Sequence, residues 1–137
     1  MEPLIVNSII KGSLEKTWRL FTESEHIVKW NFAHDSWHCP NAENNLEPGG
    51  EFFFTMSARD KSASFVFHGT YSEIIPLQKI EYFIEDGRKV EVFFHVIDEN
   101  TTEILERFEP EHINSLDMQE QGWQAILNQF KHYVESN

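Results

Sequence analysis

The stretch WNFAHDSWHCP, residues 30–40, gathers two tryptophans, two histidines, an aspartate and the chain's one cysteine. Imidazole and thiolate are zinc ligands. His34 and His38, at i and i+4, would share a face if the stretch were helical, with Cys39 or Asp35 completing the set. Pro40 and the lack of an amphipathic period argue against that helix. In an extended chain the adjacent His38 and Cys39 point to opposite sides. A lone cysteine also removes the paired-thiol spacing that marks a structural zinc site. No metal is therefore expected here. The expectation is that Trp30, Phe32 and Trp37 wall one end of an apolar pocket, with His34, His38 and Cys39 as bystanders. The plainer alternative makes Cys39 a small buried hydrophobe beside a tryptophan.

A second group with chemical potential lies further along. In TTEILERFE (101–109), Ile104 and Phe108 suggest that even positions face inward, which would bring Glu106 with them. A desolvated carboxyl can act as acid, base or ligand anchor; otherwise that end of the strand opens to water, or Glu106 pairs with a polar neighbour. Tyr71 and Tyr82 are the phenols that could share its chemistry. No nucleophile–base pair, nucleophile elbow, phosphate-cradling glycine loop or H-E-x-x-H is present, so no catalytic residue and no cofactor is assigned.

The elements that must position these groups follow from periodicity. LIVNSII (4–10) reads as a strand. SLEKTWRLFT carries Leu14, Trp18 and Phe21 at helical spacing behind a Ser13 cap, and SEHIVKW reads as a second short helix capped by Ser24. Residues 31–48 show no period and are expected to be a long loop. Strands then succeed one another. Phe52, Phe54 and Met56 share one parity, as do Phe65, Phe67, Gly69 and Tyr71. In KIEYFIEDGRKVEVFFHVI, Ile80, Tyr82 and Ile84 continue across Asp86-Gly87, a type I′ turn signal, into Val90, Val92, Phe94 and Val96. Gly69 is expected to bend the sheet. The acidic stretch 98–111 is expected to be a solvated sheet edge and hairpin. The strongest helix begins after Ser115, with Leu116, Trp123, Ile126, Leu127, Phe130 and Val134 as its apolar stripe. At about 30 Å it can cross a small sheet. Gln119 falls within that stripe and can cap backbone or meet a ligand. Gly122 costs about 1 kcal/mol in a helix interior, for which close packing or room for a ligand are the available reasons.

The 137 residues fit one domain, 1–137. The net charge of −12 repels phosphate backbones and anionic lipid heads, which argues against nucleic acid and membranes as partners. The start lacks the pattern of a signal peptide, and no apolar run approaches the roughly 20 residues of a membrane span, so a cytoplasmic protein is expected. The fold class is α+β, in the order β-α-α-β-β-β-β-β-α: a curved six-stranded antiparallel sheet around the C-terminal helix.

The element order, together with W…W.CP.AEN.L.PGG.F (30–52), GTYSEIIP (69–76), EDGRKVEV (85–92), TEILERFEPE and QGWQAILNQF (121–130), resembles the START-like (SRPBCC, helix-grip) superfamily. Within it the chain is similar to the branch named after the C-terminal domain of the heat-shock protein 90 ATPase activator. The resemblance implies a sheet gripping the long helix around a cavity for a lipid, polyketide, flavonoid or other small hydrophobic molecule. It also admits enzymes such as cyclases or hydrolases, and a co-chaperone-like interaction module. The eukaryotic co-chaperones of that branch carry an N-terminal domain for which this chain leaves no room, so a chaperone partner has no support from the residues. On the binding reading, the expected ligand contacts are Trp30, Phe32, Trp37, Phe54, Met56, Phe67, Tyr71, Tyr82, Phe94, Glu106, Gln119, Gly122, Trp123 and Ile126.

Overall fold

Alternation within the strands decides which face of the sheet becomes core. The computed structural model describes residues 2–137. Strand β1 (Leu4–Ile10) leads into helices α1 (Leu14–Thr22) and α2 (Ser24–Trp30). Six strands follow: β2 (Trp37–Asn44), β3 (Glu51–Ala58), β4 (Ser64–Ile75), β5 (Lys79–Ile84), β6 (Lys89–Asp98) and β7 (Thr101–Phe108). Helix α3 (Leu116–Glu135) ends the chain. The strands form one curled antiparallel sheet ordered β1-β7-β6-β5-β4-β3-β2, and α3 lies against its inner face. No helix among the described residues is long and apolar enough to cross a membrane.

The sheet has seven strands rather than the expected six, because residues 37–44 of the supposed loop form β2. Its alternation is broken by a bulge between His38 and Asn41, where the pairing with β3 shifts. Cys39 is buried within the bulge, and Ala42 packs on the core after it, so the inward parity switches within one short strand. Pro40 is tolerated because β2 is an edge.

Local chemistry sets the remaining elements. Ser13 and Ser115 cap α1 and α3, accepting from the N–H of Lys16 (3.2 Å) and Met118 (3.1 Å). Ser24 is not a cap: α2 starts at Ser24 itself, with Glu23 in the capping position and no side-chain bond. The β5–β6 hairpin is not a type I′ turn. Gly87 N–H closes on Ile84 O (2.8 Å), Ile84 N–H on Arg88 O (2.8 Å), and Gly87 takes the positive φ of 93°. This is a three-residue loop with glycine in the left-handed position.

The acidic stretch is not an edge either, since β7 lies between β1 and β6. Its one arginine is paired across the outer face, beside a lysine on β5. Arg107 Nε donates to Glu91 (2.9 Å), and Lys79 lies 2.7 Å from Glu73 and 3.5 Å from Glu91. Burial raises the Glu91 carboxyl, but Arg107, with Lys89 and Lys79 nearby, outweighs it and leaves Glu91 below the ordinary carboxylate range.

The inner face is organised by Phe52, 1% exposed. Its ring stacks on Phe54 (centroids 4.8 Å) and meets Tyr82 edge-on (4.9 Å). It also lies over the backbone of Gly69, its partner on β4. A Cβ at 69 would stand 2.4 Å from Phe52 Cζ and 2.9 Å from Phe83 O. Gly69 is thus a seat for a ring; the register break in β4 falls later, between Tyr71 and Glu73. Gly69→Ala is expected to destabilise the fold by about 1–3 kcal/mol through overpacking, read as a lower urea midpoint at unchanged slope.

Candidate functional site

The two halves of α3 meet the sheet differently. Leu127, Phe130 and Val134 are at most 1% exposed and pack with residues such as Val6, Ile10, Ile104 and Phe108 in one core cluster. Toward its N-terminus the inward-facing residues Gln119, Trp123 and Ile126 instead line a cavity of about 380 Å³. Its floor and walls include Phe52, Phe54 and Met56 of β3, Phe65, Phe67 and Tyr71 of β4, Ile80 and Tyr82 of β5, and Glu106 of β7. Phe21, Ile27 and Trp30 close it from the α1–α2 side, and Arg88, Glu111 and Asn114 complete the lining.

Of the residues expected from sequence, Trp30, Phe54, Met56, Phe67, Tyr71, Tyr82, Glu106, Gln119, Trp123 and Ile126 lie together on this lining. Phe32, Trp37, Phe94 and Gly122 do not. Phe32 sits under the Arg59 guanidinium (5.8 Å). Trp37 packs on Phe65 (5.9 Å), which is 54% exposed and marks the cavity's mouth. Phe94 is core, wedged between Trp18 (4.9 Å) and Phe21 (5.5 Å) of α1. Gly122 is not explained by close packing, because a Cβ there would meet nothing within 4 Å.

Several polar groups in the cavity already have partners. Gln119 is fully engaged with the loop before α3: its Nε2 donates to Glu111 O (3.0 Å) and Asn114 O (2.9 Å), and its Oε1 accepts from Glu111 N–H (2.8 Å). Its amide therefore latches the loop and is not free for a ligand. The Tyr71 hydroxyl donates to Asn44, whose own amide donates to Thr22 O (2.6 Å). Burial pushes the Tyr71 phenol up, and the Asn44 bond only partly offsets it.

Glu106 differs. It faces inward, 8% exposed, with apolar cross-strand neighbours Val92 and Val6. It forms no ion pair or hydrogen bond among the described residues, and burial alone pushes its carboxyl up to about 8. Of the two relieving arrangements, a polar partner is absent among the described residues, and the carboxyl faces the cavity instead. The Tyr82 phenol is likewise held well above its usual range, by burial first and then by Glu106 and Tyr71. The cavity is thus apolar and aromatic, with a neutral carboxylic acid and a phenol inside it.

Sequence reasoning missed Asn44, Phe21 and Arg88 on this lining. Asn44 follows the β2 bulge, Phe21 read only as a helix stripe residue, and Arg88 read only as a turn neighbour. His34, in the loop before β2, and His38 and Cys39, on β2 itself, form no three-ligand cluster. The one trio of metal-type donors with atoms within 4.8 Å of one another among the described residues is Glu23, Glu25 and His26, where His26 is already bonded to the Tyr133 hydroxyl (2.8 Å). Burial raises the Cys39 thiol despite bonds with Asn31 and Asn41, so it stays protonated.

Two outcomes follow from this geometry. Burial raises the folded Glu106 carboxyl to about 8, while the unfolded chain releases its proton near the ordinary carboxyl value of 4.5. Between those values the folded state binds more protons, so this group costs stability as pH rises. Glu106→Gln is expected to match wild type near pH 4.5 and exceed it by on the order of a few kcal/mol above pH 8, checked by thermal melts across that range. Gly122→Ala, with open space at its Cβ, is expected to gain about 0.5–1 kcal/mol in urea unfolding.

The comparisons with known proteins agree with this architecture. The family model described as Activator of Hsp90 ATPase homolog 1-like protein matches residues 11–135. The solution structure of an AHSA1-like protein from Aeromonas hydrophila is 32% identical with a TM-score of 0.88, covering 97% of this chain and 93% of its own. A protein from Cytophaga hutchinsonii is 44% identical with a TM-score of 0.84, covering 98% of this chain and 93% of its own. The structure of the Aha1 dimer from Colwellia psychrerythraea, 16% identical, shares the fold with a TM-score of 0.76 over 98% of this chain and 95% of its own. No curated protein matches the chain. With the helix gripped by a curled antiparallel sheet, the chain belongs to the Activator of Hsp90 ATPase homolog 1-like family, on the START-like helix-grip fold.

Proposed function

We propose that this protein binds a small hydrophobic molecule between its sheet and α3. The observation that carries the reading is the cavity of about 380 Å³, walled by aromatic side chains from β3, β4, β5 and α3. Ligand pockets of about 300–1,000 Å³ with apolar walls and a few polar groups are the usual form of such sites. The aromatic excess of the chain is consistent with it, since rings give large contact area at low entropic cost. A second reading, proton-transfer catalysis in the same cavity, is favoured by one group only: Glu106, whose carboxyl at about 8 suits a general acid near neutral pH. The co-chaperone reading stands on the family's name alone.

Trp30 and Trp123 line the cavity and report its contents. Titration with the neutral apolar dye N-phenyl-1-naphthylamine is expected to quench tryptophan emission saturably at one dye per chain. Ile126→Trp, which fills the cavity from α3, is expected to abolish the quenching while the far-UV spectrum stays native. A flat titration of the wild-type protein would overturn the reading.

A further inference from the structure

Resting on that binding reading, we propose that the cavity selects a hydrophobic amine, whose ammonium group pairs with Glu106 while its apolar body lies among the aromatic rings. Four observations carry this. First, Glu106, 8% exposed, lines the cavity, and its carboxyl has no partner among the described residues. An unpaired buried carboxyl costs free energy, and an ammonium ion converts that cost into a charge-assisted hydrogen bond. Second, the surfaces around it are those that attract cations. Tyr82 is near enough for the Glu106 charge to act on its phenol, and Phe52, Phe67 and Trp123 offer further rings.

Third, the cavity offers little to an anionic head. Arg88 is the only basic side chain lining it among the described residues. Its Nε donates to both Asp86 oxygens (2.8 and 3.0 Å), so that carboxylate answers much of its charge, and Nη1 lies 3.4 Å from Glu109 O. The other ionisable groups on the lining, apart from the phenols of Tyr71 and Tyr82, are the carboxyls of Glu106 and Glu111. Glu111 accepts from the N–H groups of Ile113 (3.0 Å) and Asn114 (2.8 Å), which hold it ionised. A fatty acid or phosphate head would therefore meet the Glu111 carboxylate, and beside Glu106 its charge would keep that acid protonated rather than gain an ion pair. Fourth, the chain's net charge of −12 draws cations toward the protein and repels anions. At neutral pH the entering ammonium displaces the Glu106 proton to solvent, so the site changes from a neutral acid to an ion pair and the proton balance closes.

The test uses three molecules of one shape: 4-phenylbutylamine, 4-phenylbutanol and 4-phenylbutyrate, titrated calorimetrically at pH 7. The amine is expected to bind at least about tenfold more tightly than the alcohol, and the acid most weakly. Titration in two buffers of different ionisation enthalpy is expected to show close to one proton released per amine bound, a readout on the wild-type chain that does not depend on any variant folding. Glu106→Gln is expected to lose the preference for the amine and to keep the alcohol's affinity. An alcohol that binds as tightly as the amine, an amine that releases no proton, or a preference that survives in Glu106→Gln overturns the amine assignment and leaves the cavity reading standing. Failure of all three molecules to bind overturns both.

Discussion

From Leu127 to Val134, α3 is sunk into the sheet, whereas from Gln119 to Ile126 it stands on aromatic rings with space beneath. The difference is one of support. The C-terminal half is held by packing in the common core, at close to no exposure. The N-terminal half is held by Gln119, whose amide makes three hydrogen bonds to the 111–114 backbone. A helix fixed at one end by burial and at the other by a polar latch can keep a gap below its first turns without collapsing onto them.

The floor of that gap depends on a second constraint. Phe52 is seated on Gly69, so its ring lies flat against β4. From there it orders Phe54, Phe67, Tyr71 and Tyr82 at centroid distances of 4.8 to 5.6 Å. The rings pack on one another more than on α3, which is how an aromatic surface can face a cavity. Glu106 is the exception on that surface, an acid whose carboxyl is raised by burial between valines.

Most of the fold was legible because its alternation is clean. Phe52, Phe54 and Met56, or Ile104, Glu106 and Phe108, read inward by parity alone, and the cap residues Ser13 and Ser115 read directly from type and position. What was hidden has physical causes. Strand β2 buries Cys39 within the bulge and turns Ala42 inward after it, so a fixed period of two cannot find it. Trp37 and Phe32 looked like pocket walls by composition, yet the bulged edge strand and its approach turn them elsewhere. Parity also brought Glu106 inward on paper. Whether a partner awaited it depended on β1 and β6, which supply valines. Gly122 could not be interpreted without knowing that its Cβ direction is empty.

The division of α3 has a bearing on how such a protein can change over generations. The buried anchor of the helix, 127 to 134, is separate from the positions that line the cavity, 119 to 126. Within the second group Gln119 latches the loop and Trp123 stacks on Phe108, so both also support the fold, and Ile126 is the position whose change alters the cavity's outline at the lower cost. Selection can then reshape the interior through such a position while Leu127, Phe130 and Val134 keep the helix in place. The same architecture recurring at 16% identity in the Colwellia psychrerythraea protein is what that separation permits: a durable frame whose interior is free to diversify.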